Sequence, residues 1–157
     1  MKLVDLHEKL VGNWSGTNLL RLSWIDPPDH VSPGTMSVVP VAKGKFLSFS
    51  YNWSHEEVGQ EGLLLVGYDE KKAQATAAFV DSWHMSATVM PFTGSIDDQG
   101  VINLLGSYEA PPGPDWGWRI VITASNDALR MVMYNITPEG EEDLAVDAKY
   151  RRSEFKL

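Results

Sequence analysis

The chain has 157 residues, the length of one domain, and carries 21 Asp and Glu against 13 Lys and Arg, a formal net charge of -8. Without cysteine it can build no disulfide, no thiolate nucleophile and no thiolate zinc site, and its negative surface disfavours a nucleic-acid partner. A globular domain with six tryptophans remains.

In residues 3–11, Leu3, Leu6, Leu10 and Val11 fall on one stripe, with Asp5, Glu8 and Lys9 opposite, which predicts an amphipathic helix of about two turns. The same charged residues interrupt any signal-peptide core, and no stretch approaches the roughly 18 apolar residues of a membrane span. A cytoplasmic protein with no membrane partner is therefore expected. From Gly12 onward the pattern becomes short β runs, with strands expected at 13–25, 35–42, 45–54, 61–69, 73–81, 86–94, 101–109, 116–124, 128–136 and 143–153. Turn-forming clusters such as Lys43-Gly44-Lys45, Asp97-Asp98-Gln99-Gly100 and Pro111-Pro112-Gly113-Pro114 separate them. Most of these breaks are hairpin-sized, so each strand should run antiparallel beside the next. Pro40 cannot donate to a ladder, so its strand should be bulged or edge-like there.

Ten consecutive antiparallel strands strain an open sheet, because twist curls it and closure removes both edges. The expected fold is all-β: residues 1–157 as a single closed up-and-down barrel with a short N-terminal helix, a two-sheet sandwich being the alternative. A barrel of this size should leave a cavity unless large side chains, the tryptophans among them, fill it.

Alternation assigns the inner face. Trp14, Gly16, Asn18, Leu20, Leu22 and Trp24 share one side, as do Leu47, Phe49, Tyr51 and Trp53, then Trp116, Trp118, Ile120 and Ile122, then Leu129, Met131 and Met133. Such a lining suits a small-molecule site, and it equally suits a solid core.

The segment Leu10-Val11-Gly12-Asn13-Trp14-Ser15-Gly16 resembles the Gly-x-Trp opening of the calycin-type barrels: lipocalins, fatty-acid-binding proteins and nitrobindins. Together with Val41-Ala42-Lys43-Gly44-Lys45-Phe46-Leu47, Val66-Gly67-Tyr68-Asp69, Phe79-Val80-Asp81-Ser82 and Ala148-Lys149-Tyr150-Arg151-Arg152, it resembles the lipocalin-like bacterial family catalogued as domain of unknown function 1579. The resemblance covers roughly residues 5–153 and implies an antiparallel barrel with an internal pocket, the tryptophan closing one end. It implies no activity. Nitrobindins ligate haem through a histidine in the last strands, and residues 141–157 here contain none, so neither haem nor any other cofactor is expected.

Asp81-Ser82-Trp83-His84 is the densest chemical cluster. A strand would place Ser82 and His84 on one face and Asp81 on the other, which opposes a Ser-His-Asp triad. Two readings remain. Asp81 and His84 reach the cavity mouth with Trp83 stacking beside them, or Asp81-Ser82 starts a turn and His84 is solvated. His55-Glu56-Glu57 reads as an acidic loop between strands, not as a metal site. Arg119 is the first choice for an arginine clamping an anionic ligand group, although alternation sets it opposite Trp118. The expected ligand-binding set is Tyr51, Trp53, Asp81, Trp83, His84, Trp118 and Arg119, with no metal.

Three functions are consistent with these residues. The leading one is binding of an apolar or aromatic ligand with at most one anionic group. The others are a barrel enzyme using Asp81 and His84 as an acid–base pair, and a filled barrel that binds a partner through its outer surface, as a homodimer for example.

Overall fold

The computed structural model describes residues 2–153. The chain opens with a 3-10 turn, Leu3–Leu6, which runs into a single α-helical turn, His7–Leu10. The predicted helix is thus shorter and partly tighter than expected. Its apolar stripe survives, with Leu3, Leu6 and Leu10 all buried. So short a segment has too few hydrogen bonds to hold alone, and packing supports it.

Ten strands follow: β1 (Gly12–Arg21), β2 (Asp29–Val41), β3 (Phe46–His55), β4 (Val58–Asp69), β5 (Gln74–Asp81), β6 (Met90–Ile96), β7 (Ile102–Tyr108), β8 (Trp116–Ala124), β9 (Ala128–Ile136) and β10 (Glu142–Arg152). Each pairs antiparallel with the next, and β10 returns to β1, so the barrel closes in chain order. Closure sets Trp14 opposite Arg152 and Leu20 opposite Val146. The expected all-β barrel is present and the sandwich is not.

Three boundaries differ from expectation by four residues or more. β1 stops at Arg21, because the chain folds back where the Leu22 N–H donates to the Pro28 carbonyl at 2.8 Å, and Pro27 and Pro28 have no N–H for a ladder. β2 begins at Asp29, six residues early, as β1 templates it from Arg21↔Asp29 through Gly12↔Val38 despite Pro33. β6 begins at Met90 rather than at residue 86, leaving 82–89 as a long connection. Pro40 behaves as local edge: the β1 partnership ends at Val38, and Pro40 pairs only with Leu47 of β3.

The barrel has two unlike ends. The helical segment and the connections 42–45, 70–73, 97–101 and 125–127 lie at the lower end; the connections 22–28, 56–57, 82–89, 109–115 and 137–141 lie at the upper end. Below the middle the lumen is solid. Phe49, Leu64, Val66, Leu104, Ile120 and Met131 expose nothing, so no water-sized void touches them. Aliphatic, phenylalanine and methionine side chains do this filling, rather than the tryptophans. Trp24, expected inside, is 74% exposed because β1 ends before reaching it.

Trp14 closes the lower end. Its indole N–H donates to the Leu10 carbonyl at 2.9 Å, and the Arg152 guanidinium lies 4.4 Å above its ring. Arg152 also donates to the carbonyls of Glu8, Lys9 and Val11, satisfying acceptors left open where the helical turn ends, and to the Asn126 carbonyl in the connection before β9. Among the described residues no helix is long and apolar enough to cross a membrane.

Candidate functional site

Inner-face alternation brings side chains from four strands and one connection together at the upper end. On β3 the inner series Leu47, Phe49, Tyr51, Trp53 continues to His55, whose side chain is only 15% exposed. Opposite it, β4 offers glycine: a Cβ at Gly62 would lie 2.3 Å from the Tyr51 hydroxyl oxygen and Cζ. That missing side chain lets the phenol cross to β5. There the Tyr51 hydroxyl donates to Asp81 Oδ2 at 2.6 Å. Burial first, and the Asp81 charge second, push the Tyr51 phenol well above its ordinary value, so it remains a donor.

Asp81 is 4% exposed and ends β5. Its Oδ1 accepts from the backbone N–H groups of Trp83 at 2.8 Å and His84 at 3.1 Å. The carboxylate therefore starts a turn and faces inward at once. Asp81 thus starts the turn of the second reading while its side chain stays buried. For His84 the solvated reading fails. Its ring stacks on Trp53, with centroids 5.8 Å apart at 27°, and packs against Trp118 at 5.2 Å. Desolvation lowers the imidazole below its usual value, against a weaker opposing pull from Asp81.

Trp83 stacks on His55, with centroids 5.3 Å apart at 15°, and lies 6.4 Å from Trp53. His30 of β2 meets His55 edge-on at 5.1 Å. These six rings form one continuous aromatic cap over the filled lumen. Tyr51, Trp53, Asp81, Trp83, His84 and Trp118, six of the seven residues expected from sequence, converge here. Arg119 does not. It points out of the barrel, donating to Glu142 Oε1 at 2.6 Å and Asn103 Oδ1 at 2.8 Å. The alternation of β8 decides this: Trp118 and Ile120 face in, so Arg119 faces out.

His30 and His55 were missed. Extending the β3 alternation by one step would have found His55, and the acidic pair after it drew attention to the turn instead. Glu56 and Glu57 do form that turn, at φ 50° and 65°. His30 lay in a segment expected to be loop.

Several buried polar atoms here lack partners. The Trp118 indole N–H, His30 Nε2, the Asn18 amide nitrogen and the Tyr150 hydroxyl have no hydrogen-bond partner. Trp118 is 8% exposed and its ring touches His84, so its free donor belongs to the aromatic cap. A buried donor without an acceptor is costly, which marks a place where a ligand acceptor would be stabilised.

The catalytic alternatives gain no geometry. Ser82 turns outward, donating to Gln60 Oε1 at 2.7 Å and accepting from the Glu61 N–H at 2.9 Å, away from His84. Asp81 is already engaged by three donors. Among the described residues no three His, Asp or Glu side chains converge as metal ligands. A groove of about 1110 Å³ runs along the outer wall of β1–β5 under Ser86–Val89, and Tyr51, Gly62 and Asp81 of the site also border it. Small hydroxyl and amide side chains such as Ser15, Thr35, Ser50 and Asn52 line it, and it has none of the stacked rings of the cap.

The fold and site define a closed ten-stranded antiparallel barrel, filled below and capped by aromatic rings above. The chain belongs to the family described as protein of unknown function (DUF1579), which it matches over residues 5–152. It is similar in structure to Rv2717c from M. tuberculosis, whose crystal structure superposes with a TM-score of 0.68 at 14% identity, over 98% of this chain and 99% of that one. At that identity the likeness shows the fold. No curated protein matches the chain.

Proposed function

We propose that the protein binds a flat, apolar or aromatic small molecule at the upper end of its barrel, within the cap formed by Trp53, Trp83, His84 and Trp118. The buried, unpartnered indole N–H of Trp118 carries this reading. It calls for an acceptor atom on a ligand whose plane fits among stacked rings. The solid lower lumen confines the ligand to the mouth, so the whole-barrel hollow expected from strand number is not used. The anionic group admitted from sequence depended on Arg119, which is paired with Glu142 outside.

Prodan, a neutral naphthalene ketone whose emission reports polarity, tests the site. One-to-one saturable binding with a blue shift is expected. Trp83→Ala should abolish it. Trp118→Phe, which keeps a ring and removes the donor, should weaken it about fivefold to tenfold, the worth of one neutral hydrogen bond. Far-UV circular dichroism confirms that each variant is folded. Absent saturable binding, or equal binding by all three proteins, overturns the assignment.

A further inference from the structure

The charges of this chain are sorted by barrel end. The five upper connections, 22–28, 56–57, 82–89, 109–115 and 137–141, hold seven carboxylates and no lysine or arginine. At the lower end, the four connections and residues 2–11 hold six carboxylates and six lysines. Local sequence requires no such division, since hairpin turns accept either sign.

The arginines that flank the mouth do not offset it. Arg21 is paired with Asp29 at 2.6 Å and Arg119 with Glu142 at 2.6 Å. Burial holds the His84 imidazole toward its neutral form. Behind the rings lies the Asp81 carboxylate, sharing hydrogen bonds but still bringing negative charge. At the rim, Glu56 Oε1 is 3.9 Å from His55 Nε2, and the His55 ring stacks directly on Trp83. Trp83 itself is 36% exposed. Indole faces carry the negative lobe of the ring quadrupole and attract cations, most strongly where water is partly excluded. An acidic rim above electron-rich rings adds a second attraction of the same sign, and the low-dielectric wall between them focuses it.

We infer that the mouth selects organic cations: planar, positively charged aromatic molecules that carry one hydrogen-bond acceptor for the Trp118 indole. This selectivity rests on the aromatic cap being the binding site. The acceptor satisfies the buried donor, the ring plane enters the stack, and the charge lies toward Trp83 and the Glu56–Glu57 turn. A carboxylate or sulfonate ligand would meet repulsion from the same rim.

Three quinolines of one shape test this: the cation 1-methylquinolinium-3-carboxamide, neutral quinoline-3-carboxamide and anionic quinoline-3-carboxylate, titrated by calorimetry. At about 10 mM ionic strength the cation should bind on the order of tenfold tighter than the neutral compound, and the anion weakest. At about 0.5 M salt the three should converge to within roughly threefold, as rim charges are screened. The double variant Glu56→Gln, Glu57→Gln should lose part of the cation's advantage while binding the neutral compound unchanged. Lys43→Gln with Lys45→Gln, at the far end, should alter neither. An anion that binds as tightly as the neutral compound, or a cation preference indifferent to salt and to the Glu56–Glu57 substitutions, overturns the charge selection and leaves the binding site standing. If none of the three binds saturably, the site itself is wrong and the selectivity falls with it.

Discussion

The Tyr51 hydroxyl donates to Asp81 Oδ2 at 2.6 Å across the width of β4, over the one inner position on that strand where Gly62 leaves room. This bond ties the filled lumen to the aromatic cap, because the same carboxylate fixes the backbone of Trp83 and His84. A hydrogen bond to a buried charge is worth about 1.5–3 kcal/mol, so Tyr51→Phe should destabilise by that amount in urea unfolding. Gly62→Ala should cost a similar amount by pushing the phenol off Asp81. Gly59→Ala, on the same strand with nothing within 4 Å of the added carbon, should stay within about 0.5 kcal/mol of the parent. Equal effects at Gly59 and Gly62 would contradict this account.

At the closed end, Trp14 is 1% exposed and clasped by Arg152. Trp14→Ala should cost about 3–5 kcal/mol, the usual loss for truncating a core aromatic. Arg152→Lys keeps the charge and loses the planar fork that reaches four carbonyls, so it should recover only part of the stability that Arg152→Ala removes. Full recovery by lysine, read from thermal midpoints, would show that charge alone matters there.

The depressed His84 imidazole gives stability a pH dependence. In the unfolded chain the group takes up a proton near its ordinary 6.5, whereas in the barrel it resists protonation. The unfolded state therefore binds more protons below 6.5, and stability, complete above that pH, falls as pH drops toward the lower folded value. Asp29 and Asp147, held down by hydrogen bonds from Arg21 and Arg130, stabilise the fold above their ordinary 3.8 and lose that contribution only as pH falls below it. The urea midpoint should thus fall between pH 7.5 and 5.5, and His84→Gln should reduce that fall. Parallel losses in both proteins would assign the slope to other groups.

Arg119 lies outside, so Arg119→Ala should leave prodan affinity unchanged. Its pair with Glu142 is partly exposed at 27% and 39%, which limits the stability loss to about 1 kcal/mol or less. A variant that lost binding would place the guanidinium in the site after all.

Much of the fold was legible in the chain. Period-two alternation and turn clusters specify ten strands and their faces, and short connections dictate nearest-neighbour pairing, from which closure follows. Legibility failed where partners override local signals. The sequence pattern starts the second strand only at residue 35, yet β1 holds Pro33 and Gly34 in a ladder, and Trp24 continues an alternation that the chain has already left.

For the site, sequence alone determined its ingredients: Tyr51, Trp53 and Trp118 by their inward parity, and Asp81, Trp83 and His84 by their density. Only the tertiary structure decided their arrangement. Whether the lumen is hollow depends on how Phe49, Phe79 and Phe92 interdigitate across it, and packing volume is a property of all ten strands together. Whether His84 is solvated depends on Trp53 and Trp118, which are 31 and 34 positions away in the chain. The confinement of the connection lysines to one end, which leaves the upper turns with carboxylates alone, was written in the sequence throughout. It acquired a meaning only when closure assigned each turn to an end.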